Sequence, residues 1–294
     1  MHDQARALRG LMEHRQEPVP VLGNGVPRAR TIAVTSGKGG VGKSVVALNL
    51  AIALSQAGQS VLLLDANLGL GNLDLLCGLN GYWNLSHVIS GARTLDEITL
   101  HGPAGVEVIP GASGLEDVAD CPPAAQRELL LQLAQLEQEH DFLIIDTGTG
   151  IHRTVRHFVA AAETVLIVTT TEPTSIADAY ATLKSLSTLP DLREPEVLVN
   201  LADSPEQAQE LIGRLQQTVR NFLQTRVNHA GSIPRDPAMP AAVCRRVPLM
   251  IDAPDAPASL AIEQLARRML ALKKVYPVQR TFLERFQQTG ERAA

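Results

Sequence analysis

Short apolar runs recur along the chain, and longer mixed segments of helical length separate them. The strand candidates are 31–35 (TIAVT), 61–65 (VLLLD), 106–110, 142–146 (FLIID), 164–170 (TVLIVTT), 196–200 and 227–233. Several are continuously apolar, the pattern of strands covered on both faces. Segments 43–57, 123–139, 174–188 and 205–223 have helical length and composition. This alternation predicts an α/β fold built on a doubly wound, mostly parallel sheet. Ligands in such sheets bind beyond the carboxyl ends of the strands. No internal repeat or low-complexity tract interrupts the pattern.

The two ends differ from this body. Residues 1–13 predict a short amphipathic helix, with Ala5, Leu8 and Met12 on one face and Leu11 beside them. Gly10 weakens it, and the Pro- and Gly-rich EPVPVLGNGVPR follows as a linker. At the other end VYPVQRTFLERFQQ places Val278, Phe282 and Phe286 at i, i+4 and i+8, with Leu283 flanking. Arg280, Glu284 and Gln287 face the opposite way. Such a helix suits either a membrane interface or its own domain. The expected divisions are an arm and linker over 1–27, one domain over 28–272 and a C-terminal amphipathic segment over 273–294.

Charge sharpens this picture. The chain carries −5 overall, but residues 1–30 carry +2 and 273–294 carry +3, which leaves −10 on the middle. An acidic body is a poor match for a phosphate backbone, so no direct DNA binding is expected. Cysteines 77, 121 and 244 form no CxxC pair, which argues against a thiolate zinc or iron–sulfur site. The first residues have no apolar core of a secretory signal, and no 18-residue apolar run exists. A cytoplasmic protein is therefore expected.

Gly37-Lys38-Gly39-Gly40-Val41-Gly42-Lys43-Ser44 lies directly between the first strand and the first helix. It satisfies GxxxxGK[ST] in the context that motif requires. Its glycines let backbone N–H groups curl around phosphate oxygens, and the helix start adds partial positive charge. Lys43 is expected to reach the β- and γ-phosphates, and the Ser44 hydroxyl to ligate Mg²⁺.

With its additional lysine at position 38, KGGVGKS resembles the deviant Walker A loop of the MinD/ParA ATPases. In that family the extra lysine is implied to cross a dimer interface to the partner's nucleotide, so that ATP joins two subunits. The segment LLLDANLGLGNLDLL resembles the family's first switch, DxDxGLxN. It keeps Asp65, Gly69, Leu70, Asn72 and Asp74 but has Asn67 where the family usually has a water-orienting Asp. An amide carries no charge and cannot act as a base, so hydrolysis is expected to be slow. Asp146 matches the Walker B position and completes the expected Mg²⁺ set with Ser44 and Asp65.

DTGTGI, TTTEPTSIADAYATLKSL and VNLADSPEQA are similar to the flagellar-number regulators called FlhG, FleN or YlxH. That resemblance implies that Asn200 reads adenine and that Pro234 and Asp236, in GSIPRD, lie where the chain closes over the base. Asn200 also suits a plain strand cap. Asp3-Gln4-Ala5-Arg6-Ala7-Leu8-Arg9 matches the family's DQAxxLR motif. The resemblance assigns Asp3, Gln4, Ala5, Leu8 and Arg9 to an FlhF-type GTPase partner, with Gln4 reaching its active site. It further implies an ATP-dependent homodimer reversibly attached to the inner face of the cell membrane through Val278, Phe282, Leu283 and Phe286. A flagellar transcription regulator or C-ring protein is a further implied partner. Two other roles stay open. One is MinD-like regulation of the cell-division site. The other is nucleotide-gated binding with little hydrolysis, favoured by Asn67.

Overall fold

The computed structural model describes residues 29–67, 71–111, 123–189 and 193–272, together with Phe282, Arg285 and Phe286. The expected arm, including Asp3, Gln4, Ala5, Leu8 and Arg9, lies outside the described residues, as do Gly69, Leu70, Val278 and Leu283.

Eight strands form one sheet: β1 (Arg30–Ser36), β2 (Val61–Ala66), β3 (Leu100–His101), β4 (Glu107–Ile109), β5 (Phe142–Thr149), β6 (Thr164–Thr169), β7 (Glu196–Ala202) and β8 (Asn228–Pro234). Their spatial order is β3-β4-β2-β5-β1-β6-β7-β8. Every pairing is parallel except that of the two-residue β3 with β4. The strands expected from apolar runs are all present, and β3 is an addition too short to leave a pattern. The order changes direction beside β1, with β2 and β5 on one side and β6, β7 and β8 on the other. That is the switch point at which doubly wound sheets bind ligands.

The continuous apolar runs are explained by burial on both faces. Leu63 and Ile144 enter the core layer under α1 (Lys43–Gln56). Their neighbours Leu62, Leu64, Leu143 and Ile145 enter the opposite layer. Short helices α2 (Leu73–Leu76), α3 (Leu85–Ile89) and α4 (Leu95–Ile98) follow β2, and the longer α5 (Pro123–Glu139) precedes β5. Helices α6 (Arg153–Ala161), α7 (Pro173–Leu186) and α8 (Pro205–Leu223) alternate with the remaining strands. After β8 come α9 (Ala238–Arg245), α10 (Leu249–Asp252) and α11 (Pro257–Ala271).

Helix α1 is buried over most of its circumference, which suits its Ala- and Leu-rich sequence. Its one interior amide, Asn49, bonds at both ends: Nδ2 donates to Val45 O at 2.8 Å and Oδ1 accepts from Met250 N–H at 2.9 Å. This ties α1 to α10. Phe282 and Phe286 are buried with Phe158 of α6, at ring-centroid distances of 6.4 and 5.2 Å. Two of the four side chains assigned to lipid are therefore core residues in this conformation.

Candidate functional site

The loop after β1 is shaped by steric necessity. Gly40 and Gly42 have φ of +77° and +85°, the left-handed region that favours glycine. A side chain at Gly42 would also strike Asn200, whose Nδ2 lies 2.5 Å from the place of a Cβ. Ser36 Oγ donates to Lys38 O at 3.0 Å and pins the loop from below.

Lys43, at the first position of α1, is 5% exposed and ion-paired with Asp146, which is 1% exposed. Ser44 hydrogen-bonds the same carboxylate. Burial pushes the Asp146 pKa up, opposed by Lys43 and Ser44. Asp65 pairs in register with Asp146 across β2 and β5. It accepts from Asn67 N–H at 3.1 Å and Leu73 N–H at 3.2 Å. Burial and the neighbouring Asp146 nonetheless push its pKa up to about 7. Two buried carboxylates thus share one buried ammonium. The surplus of negative charge, with a hydroxyl on one carboxylate, fits a divalent cation accompanied by phosphate.

Asn67 lies at the end of β2, and its Oδ1 is 3.6 Å from where a Cβ of Gly148 would be. Its amide therefore faces the extension of β5 beyond Asp146. Across the sheet, the β7–β8 register shifts between Val199 and Ala202, and Leu201 takes φ +56°. Asn200 leaves the regular alternation there. Its Nδ2 donates to Val41 O at 2.8 Å, while Oδ1 is buried with no hydrogen-bond partner among the described residues. An orphaned acceptor beside a phosphate loop is a costly feature in a chain without ligand. Pro234 closes β8 beside Ala202. Asp236 is committed to the backbone: its oxygens accept from Ala238 N–H at 2.9 Å and Ala258 N–H at 3.1 Å. It fixes the starts of α9 and α11 below this loop.

The carboxyl ends of β1, β2, β5 and β7 therefore gather the loop 37–44, Asp65, Asn67, Asp146 and Asn200 at one place. Lys38 points elsewhere. Its Nζ is 2.5 Å from Glu172 Oε2 and 3.0 Å from Thr174 Oγ1. Sequence reasoning gave Glu172 and Thr174 no role. The EPTS motif was their only signal, and it carries no information about a lysine 134 residues away.

The family model AAA_31, an AAA domain, matches residues 29–197, more than half of the chain. The antiactivator FleN of Pseudomonas aeruginosa is 39% identical over 240 residues, covering 82% of this chain and 86% of that protein. The chain belongs to the FleN/YlxH family of MinD-like P-loop ATPases. Another relative, the flagellum site-determining protein YlxH of Helicobacter pylori, is 33% identical over 267 residues and covers 90% of each chain. Among solved structures, the cell division ATPase MinD of Pyrococcus furiosus superposes with a TM-score of 0.68 at 26% identity, covering 83% of this chain and 100% of that one. The loop of this FleN/YlxH-family chain accordingly carries both lysines of the deviant motif, at positions 38 and 43. No helix among the described residues is long and apolar enough to cross a membrane.

Proposed function

We propose that this chain is a Mg²⁺-dependent ATPase that dimerises on ATP and sets flagellar number or placement, acting with an FlhF-type GTPase and the membrane surface. The carrying observation is the buried arrangement of Lys43, Asp65 and Asp146 behind the glycine loop, with charge left over for a metal–nucleotide ligand.

Backbone N–H groups of the loop bind the phosphates, and Lys43 moves from Asp146 to them. Ser44, Asp65 and Asp146 are the residues that would hold Mg²⁺, which when bound neutralises phosphate charge during transfer. The Asn200 acceptor suits the exocyclic amine of adenine, and the oxygen of guanine at that place would leave it unpaired. Lys38 serves the nucleotide of a second copy. The flagellar role is supported by the likeness to FleN and YlxH and by DQAxxLR in the arm. It includes reversible attachment to the inner face of the cell membrane, and a flagellar transcription regulator or C-ring protein as a further partner. Control of the cell-division site is supported less, because it does not call for that motif.

The test combines three measurements. Steady-state ATP turnover separates an ATPase from a nucleotide-gated binding protein, the second reading that Asn67 favours. Lys38→Ala should bind ATP and fail to dimerise in light scattering. Deleting residues 1–25 should spare both properties and abolish stimulation of an FlhF-type GTPase. Normal stimulation by the truncated chain rejects the partner assignment.

A further inference from the structure

Lys38 is the one loop lysine that does not face the buried carboxylates. Two acceptors hold it, both from the start of α7. Glu172 is the residue just before that helix, and Pro173 sets its first position. Thr174 Oγ1 accepts from the same ammonium at 3.0 Å. The platform is rigid for a steric reason. A Cβ at Gly37 would lie 2.3 Å from Asp178 O and 2.7 Å from Thr182 Oγ1, so the loop is pressed directly on α7. Thr182 Oγ1 is itself bonded to Asp178 O at 2.9 Å. At the foot of α7, Ser175 Oγ bonds Thr169 Oγ1 and Thr170 N–H, each at 3.0 Å, anchoring the helix start to the end of β6. Glu172 and Thr174 are thus fixed relative to the loop.

We propose that Glu172, seconded by Thr174, is a latch that keeps Lys38 on its own subunit and must open before Lys38 can reach a nucleotide held by a second copy. This rests on the dimer reading above and adds to it the residue that sets how readily ATP produces the dimer. Glu172 is a positioning residue, since it acts on the nucleotide only through Lys38. Its acidity is strengthened by the hydrogen bond and charge of Lys38, and to a lesser degree by Arg235. The pair is solvent-exposed and therefore weak, which suits a contact that has to be exchanged rather than kept. ATP brings the competing anion: phosphate offers the ammonium more negative charge than one carboxylate.

The first test reads the subunit without a partner. Nucleotide-free wild type, Glu172→Gln and Thr174→Val are treated with a limiting amine-acylating reagent, and modification of Lys38 is counted by peptide mass spectrometry. A held ammonium reacts more slowly than a free one, so Glu172→Gln should raise Lys38 labelling by about twofold or more, with other lysines unchanged. Thr174→Val should raise it less. The second test titrates ATP while following dimerisation by light scattering. Glu172→Gln should dimerise at lower ATP concentration than wild type, Glu172→Asp should fall between them, and Lys38→Ala/Glu172→Gln should match Lys38→Ala. Unchanged labelling, or a requirement for more ATP in Glu172→Gln, overturns the latch. Dimerisation by Lys38→Ala itself overturns the underlying reading, a separate result visible without any Glu172 variant.

Discussion

Lys43 rests on Asp146, a buried lysine against a buried carboxylate, at the point where a phosphate and a metal would each take one partner. Lys43 thus neutralises one of the two buried carboxylates, and Asp65 beside Asp146 remains as the surplus. On the function proposed above, nucleotide binding would exchange these partners, phosphate taking Lys43 and the metal taking Asp146.

Lys43→Ala should therefore do more than abolish nucleotide binding. It leaves Asp65 and Asp146 facing each other without the ammonium, and breaking a buried pair costs about 3 kcal/mol or more. Proton uptake by Asp146 relieves part of this, so the loss should be larger at pH 8 than at pH 6. Chemical denaturation at both pH values checks it. A loss independent of pH would mean that Lys43 does not balance these carboxylates.

The Asp65 carboxyl predicts a pH dependence of its own. Its pKa is about 7 in the fold against an ordinary 3.8. The folded chain thus holds a proton that the unfolded chain has already lost. Stability is greatest below about pH 4 as far as this group is concerned, falls as pH rises, and levels off above about pH 7, with a ceiling of about 4 kcal/mol. Asp65→Asn should flatten the fall between pH 5 and 7 in thermal unfolding of the nucleotide-free chain. An identical slope in the variant removes Asp65 as its source.

Asn67→Asp restores a carboxylate at the end of β2, beside the space that Gly148 leaves open. ATP hydrolysis should accelerate by about tenfold, equivalent to ~1.4 kcal/mol of barrier. Turnover measured at saturating ATP decides. An unchanged or slower rate shows that this chain orients its water by other groups.

The tail residues make a prediction in which stability and membrane binding are linked. Phe282 and Phe286 are 1% and 2% exposed, and Arg285 donates to Thr31 Oγ1 at 3.2 Å. Phe282→Ala should lower the unfolding free energy by about 3 kcal/mol, because it empties a packed aromatic site. Lipid contact by the same rings requires them to leave that site. Wild type should then pellet with anionic vesicles in ATP and not in ADP, with added salt weakening the effect. Equal pelleting in both nucleotides rejects a nucleotide-controlled release.

The parallel α/β class was legible from sequence because continuous apolar runs such as VLLLD and FLIID have few other folded uses. The glycine turn of loop 37–44 was legible because what it requires is local: the residues that take positive φ, Gly40 and Gly42, sit within eight consecutive positions between a strand and a helix. The identity of the strand-end residues Asp65, Asn67 and Asp146 could also be read, since each ends or follows an apolar run. What no linear pattern could supply was the pairing among them. Lys43 and Asp146 are 103 residues apart, and Lys38 and Glu172 are 134 apart. These contacts depend on strand order, with β5 and β6 flanking β1, and that order leaves no mark on composition or period.

Burial was decided by the tertiary structure as well. The resemblance puts Asp236 where the chain closes over the base, and the fold adds a contact no linear pattern shows: its two oxygens accept from Ala238 and Ala258 N–H. Phe282 and Phe286 fall on one apolar face in sequence whether it meets lipid or protein, and only the tertiary structure, which sets Phe158 of α6 against both rings, places them in the core. Periodicity reports that a face is apolar. Which surface covers it is a property of the assembled fold, because the hydrophobic effect rewards any burial and carries no direction of its own.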